Sequence, residues 1–179
     1  MVTTPARYST LSLSLHWLML LLLAAVYACI ELRSLFERGS DLREAIKTWH
    51  FMLGLSVFVL VWVRLIARWV GGVPAITPPL PAWQQKLSGL MHLALYGLMI
   101  GMPIGGWLIL SAEGKPVPFF GLTLPPLVAP NEAIADFVKD VHETVGVAGY
   151  WLIGLHALAG LFHHYVQKDD TLRRMLPSR

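Results

Sequence analysis

The chain has 179 residues, of which 55% are hydrophobic and only 14% charged, with a formal charge of +3 and a mean hydropathy of +0.58. A soluble domain carries roughly 25% charged residues, so the composition excludes an ordinary water-soluble globule. No basic-aromatic stripe points to nucleic acid, and the length suits one domain over residues 1–179.

Four stretches lack Asp, Glu, Lys and Arg: residues 8–30, 48–63, 87–112 and 144–167. A helix crossing the hydrocarbon core needs about 20 residues. The second stretch is short, but Leu65, Ile66 and Ala67 extend it past Arg64, whose long side chain can snorkel to the interface. A soluble bundle would carry polar residues through these stretches at helical spacing. The expected fold is all-α, a four-transmembrane-helix bundle in membrane lipid.

Helix one is expected at about 11–32. A rival reading is a cleaved signal peptide: Arg7 precedes a Leu-rich run, and Val26-Tyr27-Ala28-Cys29 is similar to a lipoprotein cleavage site. The run is too long for a signal core, three more spans follow, and His16 lies inside it. Helix two is expected at 41–69 with Asp41 as its cap. The next loop holds Pro74, Pro78, Pro79 and Pro81 and cannot be helical. Helix three is expected at 83–110, with a kink at Pro103. Its Gly97, Gly101 and Gly105 share one face, which either brings a neighbouring helix close or leaves room for a cofactor. A Pro-rich third loop follows, and Asn131 caps a fourth helix at 132–166, amphipathic at first and membrane-embedded from Thr144. The lone Cys29 has no internal partner and no C-x-x-C-H haem-attachment motif surrounds it, so it reads as a small core residue.

Four spans put both ends of the chain on one side. That side carries Arg7, Arg64, Arg68, Lys86, Lys168, Arg173, Arg174 and Arg179; the other carries Arg33, Arg38, Arg43, Lys47, Lys115 and Lys139. Eight against six favours cytoplasmic termini.

The seven histidines are His16, His50, His92, His142, His156, His163 and His164. Ionisable residues inside membrane helices are costly, so each is a functional candidate. His142 and His156 are 14 residues apart, nearly four whole turns, which puts them on one helix face about 21 Å apart along the axis. One helix thus offers ligands at two depths, as two stacked bis-histidine haems of the b type require. Depth selects the partners: His50 matches His142 on the side away from the termini, and His16 matches His156 on the termini side. His163 competes with His156 for His16. Zinc prefers ligands clustered around one tetrahedral point, and these are spread over two depths and three helices. Axial ligation by two imidazoles suits electron transfer. His92 and His163 lie near the termini-side pair, where imidazole can hand protons to a quinone or serve as an interfacial polar group. His164 faces elsewhere, towards headgroups.

Several segments are similar to a known family. Leu15-His16-Trp17-Leu18, the loop Phe119-Phe120-Gly121-Leu122-Thr123-Leu124-Pro125, His142-Glu143-Thr144 and Gly154-Leu155-His156-Ala157 resemble the bacterial cytochrome b561 family. The closing residues Ala159-Gly160-Leu161-Phe162-His163-His164-Tyr165 with Lys168-Asp169-Asp170-Thr171-Leu172-Arg173-Arg174-Met175 are closest to its superoxide oxidase type. The resemblance covers nearly the whole chain. It implies an oxidoreductase of the bacterial inner membrane with two haems b, which oxidises superoxide to oxygen on the periplasmic side and reduces ubiquinone on the cytoplasmic side. By position it implies His50 with His142 as ligands of the periplasmic-side haem iron, and His16 with His156 as ligands of the other. His92 and His163 match positions associated with ubiquinone. No catalytic residue beyond these is assigned. The family can carry lysines near the quinone ahead of helix three; here residues 77–85 have none and Lys86 comes later.

Superoxide is an anion, and a positive rim would speed its arrival. The side away from the termini holds six basic and nine acidic residues, a net −3, so sequence shows no steering. An alternative function is an electron-transfer cytochrome linking quinone to an unidentified periplasmic partner docked on the third loop. A haem-carrying structural protein is disfavoured, because two stacked sites suit electron transport better than storage.

Overall fold

Each charge-poor stretch forms one long helix in the computed structural model, which describes residues 7–176. The helices are α1 (Thr10–Leu32), α2 (Asp41–Gly71), α3 (Ala82–Ala112) and α4 (Glu132–Phe162). All four are long and apolar enough to cross a membrane. Arg179, counted above with the termini, lies outside the described residues.

Local chemistry sets the helix ends. Ser9 caps α1 by accepting from the Ser12 N–H, and Asn131 caps α4 by accepting from the Ile134 N–H at 3.1 Å. The cap of α2 is Ser40 rather than Asp41: the Ser40 hydroxyl accepts from the Arg43 N–H. Asp41 instead occupies the first turn, where its charge suits the positive end of the helix dipole.

The helices pack in chain order, α1 on α2, α2 on α3 and α3 on α4. Met19, Val57, Val61 and Met99 form the apolar centre shared by the first three. Buried Leu15 and Met19 tie α1 to this centre, as expected of a bundle helix. By contrast α4 rests on α3 and makes only sparse backbone approaches to α1 and α2. Gly149 sets one close approach, since a Cβ there would collide with the Tyr27 hydroxyl and crowd Leu98. The Tyr27 hydroxyl donates to the Gly146 carbonyl at 2.9 Å. The space left between α4 and the α1–α2 pair is bridged by side chains such as Tyr27.

The third loop is not irregular throughout, as its prolines suggested. Strands β1 (Val117–Phe119) and β2 (Leu122–Leu124) pair antiparallel, with Pro118 opposite Thr123. Phe120 and Gly121 make the turn with φ of 46° and 85°, the left-handed geometry of a two-residue hairpin. Val117 packs with Leu55 and Leu110, the Phe120 ring meets Trp49, and the Trp107 indole donates to the Pro125 carbonyl at 2.9 Å. The hairpin therefore caps the end of α2 and α3 away from the termini.

The fourth helix reaches Gln167, close to the expected 166, but changes form on the way. After Phe162 its last turn widens to a π turn over His163–Gln167, and Lys168 takes a left-handed conformation, φ 55° and ψ 31°. Such a residue ends a helix by reversing the chain. Residues 168–176 then fold back across the termini-side end of the bundle as a strap.

Candidate cofactor site

The gap beside α4 is where the histidines meet. His50 on α2 and His142 on α4 face each other with ring centroids 6.4 Å apart. His16 on α1 and His156 on α4 do so at 6.3 Å. Fourteen residues of α4 separate His142 from His156, so the pairs are stacked about 21 Å apart along the helix.

The pair nearer the hairpin is simple. His50 Nδ1 lies 3.0 Å from the Val26 carbonyl, so that nitrogen carries the hydrogen and Nε2 keeps its lone pair. A backbone carbonyl fixing the tautomer in this way is the usual support of a metal-binding imidazole. His142 Nδ1 is buried without a partner among the described residues.

The termini-side pair is crowded. His92 on α3 stands 5.6 Å from His156, with the Ser88 hydroxyl 3.4 Å from its Nδ1. The Arg64 guanidinium is within electrostatic reach of His16, His92 and His156. Its Nη1 is buried and unpaired among the described residues.

His163 does not pair with His16. Its Nδ1 lies 2.5 Å from Oδ2 of Asp169, a strap carboxylate only 1% exposed. Oδ1 of Asp169 accepts from the Thr171 N–H at 2.9 Å. Burial raises this carboxyl, but the hydrogen bonds from His163 and Thr171 outweigh burial and hold it below the usual carboxylate range. The His164 ring packs on its neighbour Tyr165, and its Nδ1 is buried without a partner among the described residues. Sequence reasoning missed Asp169 and Arg64 as site residues. Asp169 could have been suspected from the pair Asp169-Asp170 following the last membrane histidine.

A cavity of about 410 Å³ lies between α3 and α4. His142, Leu98 and Met102 line it beside Gly97, Gly101 and Gly105. A Cβ at Gly97 or Gly101 would meet nothing within 4 Å. Gly97 and Gly101 therefore leave room, whereas Gly105 serves close helix contact, since a Cβ there would meet His142 Nδ1 at 3.3 Å.

Four apolar helices with imidazole pairs stacked between them are the framework of a membrane electron-transfer protein. The comparison with known proteins makes this specific: the model of the family described as prokaryotic cytochrome b561 matches residues 7–178, and the chain belongs to that family. The protein named cytochrome b561 homolog 1 from Escherichia coli (strain K12) is 43% identical over 97% of this chain and 98% of its own length. The probable superoxide oxidase CybB from Yersinia pestis is 37% identical over 97% of each chain. Cytochrome b561 homolog 2 from Escherichia coli (strain K12) is 29% identical over 97% of this chain and 93% of its own. The chain is thus a multi-pass redox protein of the bacterial inner membrane, in a family that binds b-type haem.

The residues present fit such a group on three observations. An iron bound by one nitrogen from each of two imidazoles at about 2.0 Å would hold their centroids roughly 6.3 Å apart, close to the spacing of both facing pairs. The His92–His156 spacing is shorter than that. The Gly97–Gly101 face leaves space for a flat macrocycle, and Arg64 offers an unpaired buried cation to a carboxylate.

Proposed function

We propose that this chain is a di-haem cytochrome b that oxidises superoxide to oxygen at the periplasmic side and reduces ubiquinone at the cytoplasmic side. The observation that carries the reading is the stacking of two facing imidazole pairs of matched spacing across the bundle. In this reading His50 and His142 would hold the periplasmic-side haem iron, and His16 and His156 the cytoplasmic-side iron, with the termini cytoplasmic. The relative named a probable superoxide oxidase supports superoxide as the donor. When bound, the haems supply one-electron steps between a one-electron donor and a two-electron acceptor.

The balance is two superoxide anions, one ubiquinone and two protons giving two oxygen molecules and one ubiquinol. The work of the chain follows from it. Superoxide releases no proton, so the periplasmic end needs only access and ligands, and His50 with its carbonyl-fixed tautomer suits that. Ubiquinone must gain two protons, so the cytoplasmic end needs groups that hold and move them. His92, His163 and His164 are the imidazoles there not used as ligands, and the first two contact ubiquinone in this reading. Arg64, whose Nη1 is buried without a partner among the described residues, would hold a carboxylate of the cytoplasmic-side haem.

Stopped-flow mixing of superoxide with the purified holoprotein and a ubiquinone analogue tests the reading. Superoxide should decay faster than without protein, with two oxygen molecules evolved per ubiquinol and no hydrogen peroxide. Decay unaltered by the protein would falsify the superoxide assignment. Ubiquinol-driven haem reduction in the same preparation would then favour the cytochrome that links quinone to a periplasmic protein.

A further inference from the structure

The strap is fastened along its length. The Asp170 N–H donates to the Thr77 carbonyl at 3.2 Å, and the Thr77 N–H returns a bond to Asp170 Oδ1 at 2.9 Å. Arg174 Nη1 donates to the Pro74 carbonyl at 2.5 Å, while its Nε stands 3.2 Å from Asp170 Oδ1 as an ion pair without hydrogen-bond alignment. The Trp17 indole on α1 donates to the Met175 carbonyl at 2.8 Å. The second loop and α1 are thus both tied to a segment of nine residues.

Asp170 and Arg174 account for the fastening, but Asp169 takes no part in it. It is the most buried carboxylate among the described residues, and besides the Thr171 N–H of its own turn it meets only His163. A buried carboxylate is costly unless its charge is matched. Here the match is one imidazole nitrogen in the π turn that follows α4, about two turns beyond His156 and near the same helix face. The widened turn and the left-handed Lys168 bring the two together.

We propose that Asp169 is a positioning residue for proton delivery to ubiquinone: its carboxylate holds the Nδ1–H of His163, so that Nε2 is the nitrogen presented to a quinone carbonyl oxygen. This rests on the placement of ubiquinone at His163 given above. A buried carboxylate on one nitrogen fixes the ring's tautomer and orientation. In the transfer, the Nε2–H bond of the imidazolium breaks and an O–H bond forms at the quinone oxygen, whose electrons superoxide supplies. The ring is left neutral with Nδ1–H still on ionised Asp169, and water at the cytoplasmic face returns the proton to Nε2. Asp169 itself neither gains nor loses a proton.

The test uses full-length holoprotein and compares D169N, D169E, H163A and the double variant D169N/H163A in superoxide-driven ubiquinone reduction. D169N should lower kcat by about 10-fold or more, within the range of a lost acid–base contribution, with KM for quinone and the haem spectrum unmoved. The solvent deuterium isotope effect on kcat should rise. D169E should recover part of the rate, and the double variant should be no slower than H163A, because Asp169 acts through His163. Losses that add in the double variant would mean a structural role and overturn the proposal. So would D169N at full rate beside a slow H163A, an outcome that leaves the quinone placement standing. If H163A reduces quinone at full rate, the placement itself fails. Should the Asp169 variants not fold, nitrogen NMR of histidine-labelled wild-type protein decides: a proton on Nδ1 of His163 is expected, and a bare Nδ1 overturns the proposal.

Discussion

The two ends of the histidine column are built differently. At the hairpin end there are two imidazoles, one carbonyl fixing His50, and a packed cap of Leu55, Leu110 and Val117. At the termini end His16, His92 and His156 crowd together, Arg64 reaches in among them, and His163 with Asp169 lies one step further along. Electron transfer alone needs ligands and a low-polarity surround, and the first end offers little else. Surplus imidazoles beside a buried carboxylate are costly in a membrane, and their use is in moving protons. Under the proposed function, the contrast separates an end for electrons from an end for electrons and protons together.

The sharpest way to break that contrast is to remove ligands. H142A should leave one haem b per chain in a pyridine haemochrome assay where the unaltered protein holds two. H92A should keep both, since its 5.6 Å approach to His156 is shorter than a shared iron allows and the 6.3 Å partner is His16. Full haem content in H142A would end the pairing. Loss of a haem in H92A would move His92 from the quinone side of the contrast to the ligand side.

Much of this column is legible in the sequence because membrane helices are long, charge-free and regular. With helix bounds known to a few residues, 100° per residue places His142 and His156 on one face, and depth matches them to His50 and His16. What sequence left unread depends on departures from regularity. The hairpin has strands of three residues, prolines at 118 and 125, and a Phe-Gly turn in place of the usual Asn-Gly signal. The cap of α2 fell one residue early because Ser40 and Asp41 are both good capping types. Asp169 meets His163 only through a widened turn and a left-handed lysine, which no helical periodicity encodes. Whether Gly97, Gly101 and Gly105 face a helix or a space was open for a similar reason: the pattern gives the face, and only the backbone gives what stands opposite.

Arg64 offers a smaller, graded test of the crowded end. A cation close to a haem favours the reduced form, which carries one positive charge fewer. R64L should therefore lower the midpoint potential of the cytoplasmic-side haem, by on the order of 59 mV for a tenfold change in a one-electron equilibrium. R64K should lower it less, since a point charge remains but the fork geometry is lost. The periplasmic-side haem should be unmoved, because Arg64 acts on His16, His92 and His156 and not on the upper pair. Equal shifts in both haems would show that the substitution loosens the bundle as a whole.

The smallest effect is expected at the simple end, where the question is how an anion arrives at a surface of net negative charge. Half of the six cations there are already engaged. Lys47 pairs with Glu44 at 2.8 Å and Lys115 with Glu113 at 2.9 Å, while Arg43 donates to the Arg33 and Phe36 carbonyls. Arg33 makes no ion pair among the described residues and acts on His50. It is the cation best placed to draw superoxide towards that imidazole. R33Q should lower kcat/KM for superoxide by about two- to three-fold at low ionic strength, a small part of what a focused field achieves. The difference should shrink as salt approaches 1 M, where screening reaches about 3 Å, and haem content should not change. R38Q, further along the loop, should do less. A deficit in R33Q that ignores salt would mean that Arg33 acts on packing at His50, leaving the hairpin end without any device for gathering its substrate.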